Sequence, residues 1–374
     1  GVDIADAEIE RILRALGLQA VAVADGWSVV PPTRRFDIAI EEDLIEELAR
    51  IHGYDRVPTT LPGGATRIAS PSETRVEAGV VRRQLAARDY LETVNFAFVD
   101  AQWLAHWQVA DGAVPLANPL SAELAVMRTA LLPGVVAALQ RNVARQAGRV
   151  RLFEIGNVFQ AEVGTAPRET VRLAAAVVGE AAAEQWGQPA RKVDFHDLKG
   201  DLESVAALSG AQLEFRPSLA SHGHPGRSAD VYRDNQKVGW IGQLHPRLQR
   251  ALDLDAEVIA FEVDLAPLSA RALPRAGDLS RYPSVRRDLA FVVADTVPWA
   301  EIAATARTAA GPLLRDVQLF DRYVGQGVES GQKSLAMGLI LQDNSRTLTD
   351  ADVAQVVAQV VAAIADAHGA KVRG

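Results

Sequence analysis

The sequence predicts an α+β protein of several modules, and three observations carry that prediction. The chain has 374 residues, roughly two to three times the size of a usual domain. It is 48% hydrophobic and 23% charged, which supplies several cores and lies far from a disordered composition. Two stretches poor in apolar residues, 59–72 and 271–280, interrupt otherwise periodic sequence and read as linkers. They delimit expected modules at 1–58, 73–270 and 281–374. No run of about 18 apolar residues is present, and the first residues mix Asp, Glu and Arg with apolar positions, so neither a membrane span nor a signal peptide is predicted. Zero cysteines exclude disulfides, thiolate zinc sites and cysteine nucleophiles. A cytoplasmic location is the expectation. Gly1 already stands in a helix lead-in, which suggests a fragment of a longer protein.

In the first module, Ile4, Ile9, Ile12, Leu13 and Leu16 recur at helical spacing and Gly17 stops the helix. The segments 20–24 and 27–30 flank Asp25-Gly26, a dipeptide suited to a two-residue hairpin turn. Pro31 and Pro32 impose extended chain, and Leu44, Leu48 and Ile51 then form the apolar stripe of a helix over 41–52, closed by Gly53. The second module reads as a helix (72–90), a strand (93–98), a helix after Pro133, strands at 151–159 and 171–178, a helix near 196–208, a hairpin turning at Asp234-Asn235, and a strand at 256–263. That order predicts a largely antiparallel sheet covered by helices. The third reads strand (288–293), helix (298–309), strands (316–324 and 333–342), helix (350–367) and strand (371–373). The order βαββαβ is the ferredoxin-like arrangement, with both helices on one sheet face and the other face free.

Charge is unevenly spread. The net charge is −8, yet residues 275–374 hold 11 basic and 11 acidic side chains, so the whole deficit lies upstream and the third module is the one suited to a polyanion. Its basic residues include Arg286 and Arg287, expected to meet phosphates. On the strand at 316–324, period-two alternation puts Leu319, Asp321 and Tyr323 on one face and Phe320, Arg322 and Val324 on the other. Burying Phe320 and Val324 against the helices turns Asp321 and Tyr323 outward. An exposed ring beside a carboxylate suits a splayed RNA base, guanine above all, and Ser334 across the hairpin is expected on the same surface. The alternative is an ordinary exposed strand.

Asp37, Asp43, Glu46 and Glu47 are four carboxylates within 11 residues, the last three on one helical face. Oxygen-only donors of this kind suit Mg²⁺ or Ca²⁺. An acidic helix start with Arg50 as ion partner is the rival explanation. His222-Gly-His224 reads as a loop, and Gly325-Gln-Gly327 with Gly331-Gln-Lys333 as a hairpin connection, because neither has metal-arm or phosphate-loop spacing.

Three stretches, in order along the chain, resemble the C-terminal half of bacterial phenylalanyl-tRNA synthetase beta subunits. Arg35-Phe-Asp-Ile-Ala-Ile-Glu-Glu-Asp-Leu-Ile-Glu-Glu-Leu-Ala-Arg50 with Gly53-Tyr54 is similar to the end of the B5 domain. Asn118-Pro-Leu-Ser-Ala-Glu123, Met127-Arg-Thr-Ala-Leu-Leu-Pro-Gly134 and Arg151-Leu-Phe-Glu-Ile-Gly156 resemble the core module, which is like a class II synthetase catalytic domain. Tyr282-Pro-Ser-Val-Arg-Arg-Asp-Leu-Ala-Phe291, Phe320-Asp-Arg-Tyr323 and Arg346-Thr-Leu-Thr349 resemble the ferredoxin-fold anticodon-binding domain. The resemblance implies a fragment that supports a catalytic alpha subunit in an (αβ)2 heterotetramer, binds tRNA(Phe), and serves the ATP-dependent attachment of phenylalanine performed by alpha. It implies a magnesium on Asp37, Asp43, Glu46 and Glu47. The G-x-G-x-G-x-x-R pattern of a class II ATP site is not found, so the middle module is expected to be an inert copy, with no catalytic residue in this chain. A stand-alone RNA-binding pseudoenzyme and a metal-dependent hydrolase are the rival readings.

Overall fold

A computed structural model describes residues 1–61, 63–64, 72–276 and 279–373. Parts of both expected linkers, at 62, 65–71 and 277–278, lie outside the described residues. Backbone proximity divides the chain into two units, Gly1–Ser72 and Glu73–Gly374.

In the first unit, helix α1 (Asp6–Ala15) buries Ile12 and Leu13. Gly17 then takes a φ of +80°, a region that favours glycine. Strands β1 (Gln19–Val23) and β2 (Gly26–Val30) pair antiparallel. Val23 faces Gly26, so the turn is Ala24-Asp25, one residue earlier than expected, with Gly26 opening β2 at φ +142°. Helix α2 (Glu41–His52) brings Leu44 and Leu48 against Leu13, Leu18 and Ala20.

The second unit begins with α3 (Ala78–Ala86), shorter than the helix expected over 72–90. The strand expected at 93–98 is instead two short pieces, β3 (Leu91–Glu92) and β4 (Phe98–Val99). They are followed by α4 (Ala101–Trp107), β5 (Val126–Met127), α5 (Leu132–Val143), β6 (Val150–Gln160), β7 (Arg168–Val178), α6 (Phe195–Ala207), β8 (Glu214–Pro217), β9 (Gly223–Arg233), β10 (Gln236–Leu244), α7 (Pro246–Ala251), β11 (Ile259–Asp264) and α8 (Leu265–Ser269). Seven strands form one sheet in the order β3-β6-β7-β11-β10-β9-β8, antiparallel except for β3 beside β6. Asp234 and Asn235 both take positive φ in the tight β9–β10 turn, as that dipeptide predicted. His224 lies inside β9 rather than in a loop.

Both sheet faces are covered. Leu173, Ala175 and Val177 of β7 meet α3, α6 and α8, while Ala174, Ala176 and Val178 meet α5 and α7. This is why β7 reads as an unbroken apolar run rather than an alternating one. Buried charges are paired: Arg128 donates to Glu154 at 2.6 Å, and Asp201 accepts from Tyr90, Arg88 and Arg151. A Cβ on Gly156 would fall almost on the Arg128 guanidinium, so the close approach requires glycine there.

The unit ends in β12 (Val285–Ala294), α9 (Trp299–Ala310), β13 (Leu314–Tyr323), β14 (Gln332–Leu341), α10 (Asp350–His368) and β15 (Lys371–Val372). The sheet order is β13-β14-β12-β15. Phe291, Leu335, Met337 and Leu339 pack with Ile302 of α9 and Val360 of α10, so both helices lie on one face and βαββαβ is the observed arrangement. The α+β class read from the sequence holds throughout. Among the described residues no helix is long and apolar enough to cross a membrane.

Candidate nucleic-acid interface

The interface is built on the helix-free face of that four-stranded sheet. Residues directly opposite each other on neighbouring strands share a face. Leu335, Met337 and Leu339 point into the helix-covered core, so Ser334, Ala336, Gly338 and Ile340 belong to the open side, and their partners go with them. Asp321 is opposite Ala336, Tyr323 opposite Ser334, and Arg286 opposite Ile340. Arg287 is opposite Leu339 and therefore on the helix side, where it lies 3.6 Å from Asp350 at the start of α10. The two arginines are thus separated by the sheet, and Arg286 alone of the pair reaches the open face. Ser334 is withdrawn from contact, being 5% exposed.

The strict alternation expected along β13 does not hold. The register slips between Leu319 and Asp321, leaving Phe320 as the extra residue of a β-bulge. Leu319 consequently faces the helix side opposite Met337, and Phe320, expected in the core, is 52% exposed. The Arg286 guanidinium carbon lies 5.2 Å from the Phe320 ring centroid, and that of Arg373 lies 5.2 Å from the Tyr323 ring. Tyr323 is 37% exposed and its hydroxyl donates to the carbonyl of Gln326 at 3.2 Å. Phe320 and Arg373 are the residues that sequence reasoning missed. A bulge leaves no mark in an alternation pattern, and a contact from the last strand has no local signal.

The carboxylates of the first unit are arranged differently from a cation cage. Arg35 donates to Asp37 Oδ2 at 2.7 Å and to Glu47 Oε1 at 2.8 Å, and Arg50 donates to Glu47 Oε2 at 2.5 Å. Asp43 Oδ2 accepts the backbone N–H groups of Ala39 and Ile40 ahead of α2, and Glu46 is exposed. Arg35 holds the carboxyls of Asp37 and Glu47 below their ordinary range, and the two N–H donors do so for Asp43. Among the described residues no three His, Asp or Glu side chains gather in a geometry that could hold a metal ion. As arranged, these residues do not fit the magnesium that the resemblance implies, because arginines and backbone donors already engage Asp37, Asp43 and Glu47 and no three of the carboxylates converge.

In the seven-stranded module, Glu262 of β11 accepts from the N–H groups of Leu131 and Leu132 at 3.0 and 2.9 Å, where α5 begins, and from Arg172 at 2.9 Å. A carboxylate of the chain itself therefore occupies the positive end of that helix. Nearby, His222 stacks edge-on against Trp240 with ring centroids 4.7 Å apart, and burial lowers its pKa to about 4.

Comparison with known proteins finds three family profiles in order along the chain. The family profile of the tRNA synthetase B5 domain matches residues 1–54, that of the phenylalanyl tRNA synthetase beta chain CLM domain residues 57–265, and that of the ferredoxin-fold anticodon binding domain residues 280–373. The phenylalanine–tRNA ligase beta subunit of Xanthomonas campestris pv. campestris strain 8004 is 70% identical over 375 residues, an alignment covering all of this chain and 47% of that protein. The beta subunit of Xylella fastidiosa strain Temecula1 is 62% identical over the same shares. The chain spans about half the length of the curated relatives it matches. A solved pyrrolysyl tRNA synthetase from Desulfitobacterium hafniense, at 16% identity and a TM-score of 0.37 over 50% of this chain and 63% of that one, is too distant to bear on the fold. Because the CLM profile alone takes in more than half of the residues, the chain belongs to the phenylalanyl tRNA synthetase beta chain family.

Proposed function

We propose that this chain is the part of a cytoplasmic phenylalanine–tRNA ligase that braces the catalytic alpha subunit within an (αβ)2 heterotetramer and engages tRNA(Phe), its anticodon included. The alpha subunit activates phenylalanine with ATP and transfers it to the tRNA; this chain supplies support and recognition. The observation that carries the reading is the helix-free face, where Asp321 and Tyr323 stand side by side above a floor of small residues. Tyr323 offers a ring on which a base stacks, Asp321 an acceptor for guanine N–H donors, and Arg286 a cation for phosphate. Support for alpha is consistent with an exposed apolar edge beside β3 and β4, where Val94 is 93% and Phe96 76% exposed. The magnesium on Asp37, Asp43, Glu46 and Glu47 forms no part of this reading, since Arg35 takes its place.

The test is binding of tRNA(Phe) and anticodon-substituted tRNAs to the complete αβ enzyme across a salt series. Tyr323→Ala should weaken binding by about 1–3 kcal/mol whatever the base. Asp321→Ala should reduce discrimination for guanine while binding of altered anticodons stays nearly constant. Arg286→Ala should flatten the salt dependence. If Tyr323→Ala and Asp321→Ala both bind as wild type at every salt, the anticodon contact lies elsewhere.

A further inference from the structure

The open face carries two guanidinium–aromatic stacks, and only the one at Tyr323 is used by the reading above. We propose that Phe320 with Arg286 forms a second stacking position, which takes the nucleotide next to the one stacked on Tyr323. The inference rests on the anticodon reading of this face and deepens it.

Four observations converge. The bulge in β13 takes Phe320 out of the alternation that would have buried it, and leaves it more exposed than Tyr323. Such bulges re-aim side chains beside functional sites. The Arg286 plane is held in place by Asp288 at 2.7 Å while its guanidinium carbon stays 5.2 Å from the Phe320 centroid. Gly338 makes that reach possible, because a Cβ there would lie 2.9 Å from Arg286 Nε and 3.1 Å from Cζ. Finally, Phe320 and Tyr323 are three residues apart on one strand, roughly 10 Å at the usual rise, so each serves a separate base rather than one base between them.

The chemistry follows from the parts. A base laid on the exposed ring face of Phe320 gains stacking, while the Arg286 guanidinium 5.2 Å from the ring centroid holds the ring by a cation–π contact. Every base has a π-face, so the position adds affinity without reading identity, and Asp321 remains the discriminating group. The ligand class is a single-stranded nucleotide in a splayed loop.

The experiment measures the dissociation constant of the complete αβ enzyme for tRNA(Phe) and for versions abasic at each anticodon position in turn. Phe320→Ala should weaken tRNA(Phe) binding by about five- to a hundredfold, and Phe320→Tyr should restore it. One abasic tRNA should be insensitive to Phe320→Ala, and a different one to Tyr323→Ala, because each substitution then removes a partner that is already gone. Arg286→Lys, which keeps the charge and loses the plane, should weaken binding while leaving the salt slope unchanged. Wild-type binding by Phe320→Ala together with a loss in Tyr323→Ala would overturn the second position and leave the anticodon reading standing. Wild-type binding by both would overturn the reading itself. An equal loss by Phe320→Ala on every abasic tRNA, or coupling to the same nucleotide as Tyr323, would overturn the proposal. Phe320 is half exposed and Phe320→Leu keeps its bulk, so a Leu variant that elutes as wild-type tetramer but still binds weakly separates stacking from folding.

Discussion

Arg35 arrives from the irregular segment ahead of α2 and joins Asp37 to Glu47. Spacing along the helix identified Arg50 as a partner of Glu47, which the 2.5 Å contact bears out. It gave no hint of Arg35, because a side chain from outside the helix is invisible to helical periodicity. With that guanidinium in place, millimolar Mg²⁺ should leave the melting temperature of the chain unchanged. Arg35→Met should lower it by a few degrees, since Glu47 is almost fully buried and would keep only Arg50. A clear Mg²⁺-dependent rise in the wild type would restore the ion. At His222 the sign of the pH dependence is fixed by burial. The folded pKa of about 4 lies below the ordinary value of 6.5. Below pH 6.5 the unfolded chain therefore takes up a proton that the folded chain refuses, and stability falls until about pH 4. The full loss is roughly 3 kcal/mol. Chemical denaturation of His222→Phe between these limits should show a flatter slope than wild type, with the loss below pH 4 from paired carboxylates retained.

Long elements with a full apolar stripe, such as α2 and α10, were legible because their own residues specify them. The short ones were not. β3 has two residues and exists through its parallel pairing with β6, far along the chain, and α4 and β8 are likewise brief. The start of α10 is specified locally: Thr349 Oγ1 accepts from the Asp352 N–H, Asp352 accepts from the Thr349 N–H at 2.9 Å, and Arg346 grips the same carboxylate at 2.6 Å. The Arg346-Thr-Leu-Thr349 stretch thus has a structural duty beside any other. Thr349→Ala should destabilise the chain by about 1 kcal/mol in a denaturant titration. The bulge in β13 marks the limit of pattern reading for the interface: alternation placed Asp321 and Tyr323 on the open side but consigned Phe320 to the core. Gly338→Ala should push Arg286 aside, and so weaken tRNA binding with little change in the unfolding midpoint.

At the scale of the whole chain, the family was legible because its three resembling stretches follow the order of the three matching profiles, whereas the missing ATP pattern could be read only as an absence. Glu262 adds a physical reason to expect no phosphate at the start of α5, since an anion approaching there would meet a carboxylate already satisfied by two backbone N–H groups and Arg172. The chain alone should therefore give no phenylalanine-dependent exchange of pyrophosphate into ATP, and exchange should appear when alpha is added. Robust exchange without alpha would sink the inert-module reading. The placement of β15 also bears on how such assays are built. The backbone of Arg373 donates to the Ala290 carbonyl at 2.8 Å while its side chain covers Tyr323. An affinity tag or fluorescent protein joined directly after Arg373 would thus start at the rim of the surface proposed to meet RNA. A cleavable linker at that end, with titrations run before and after protease treatment, separates the reporter's own obstruction from the behaviour of the protein.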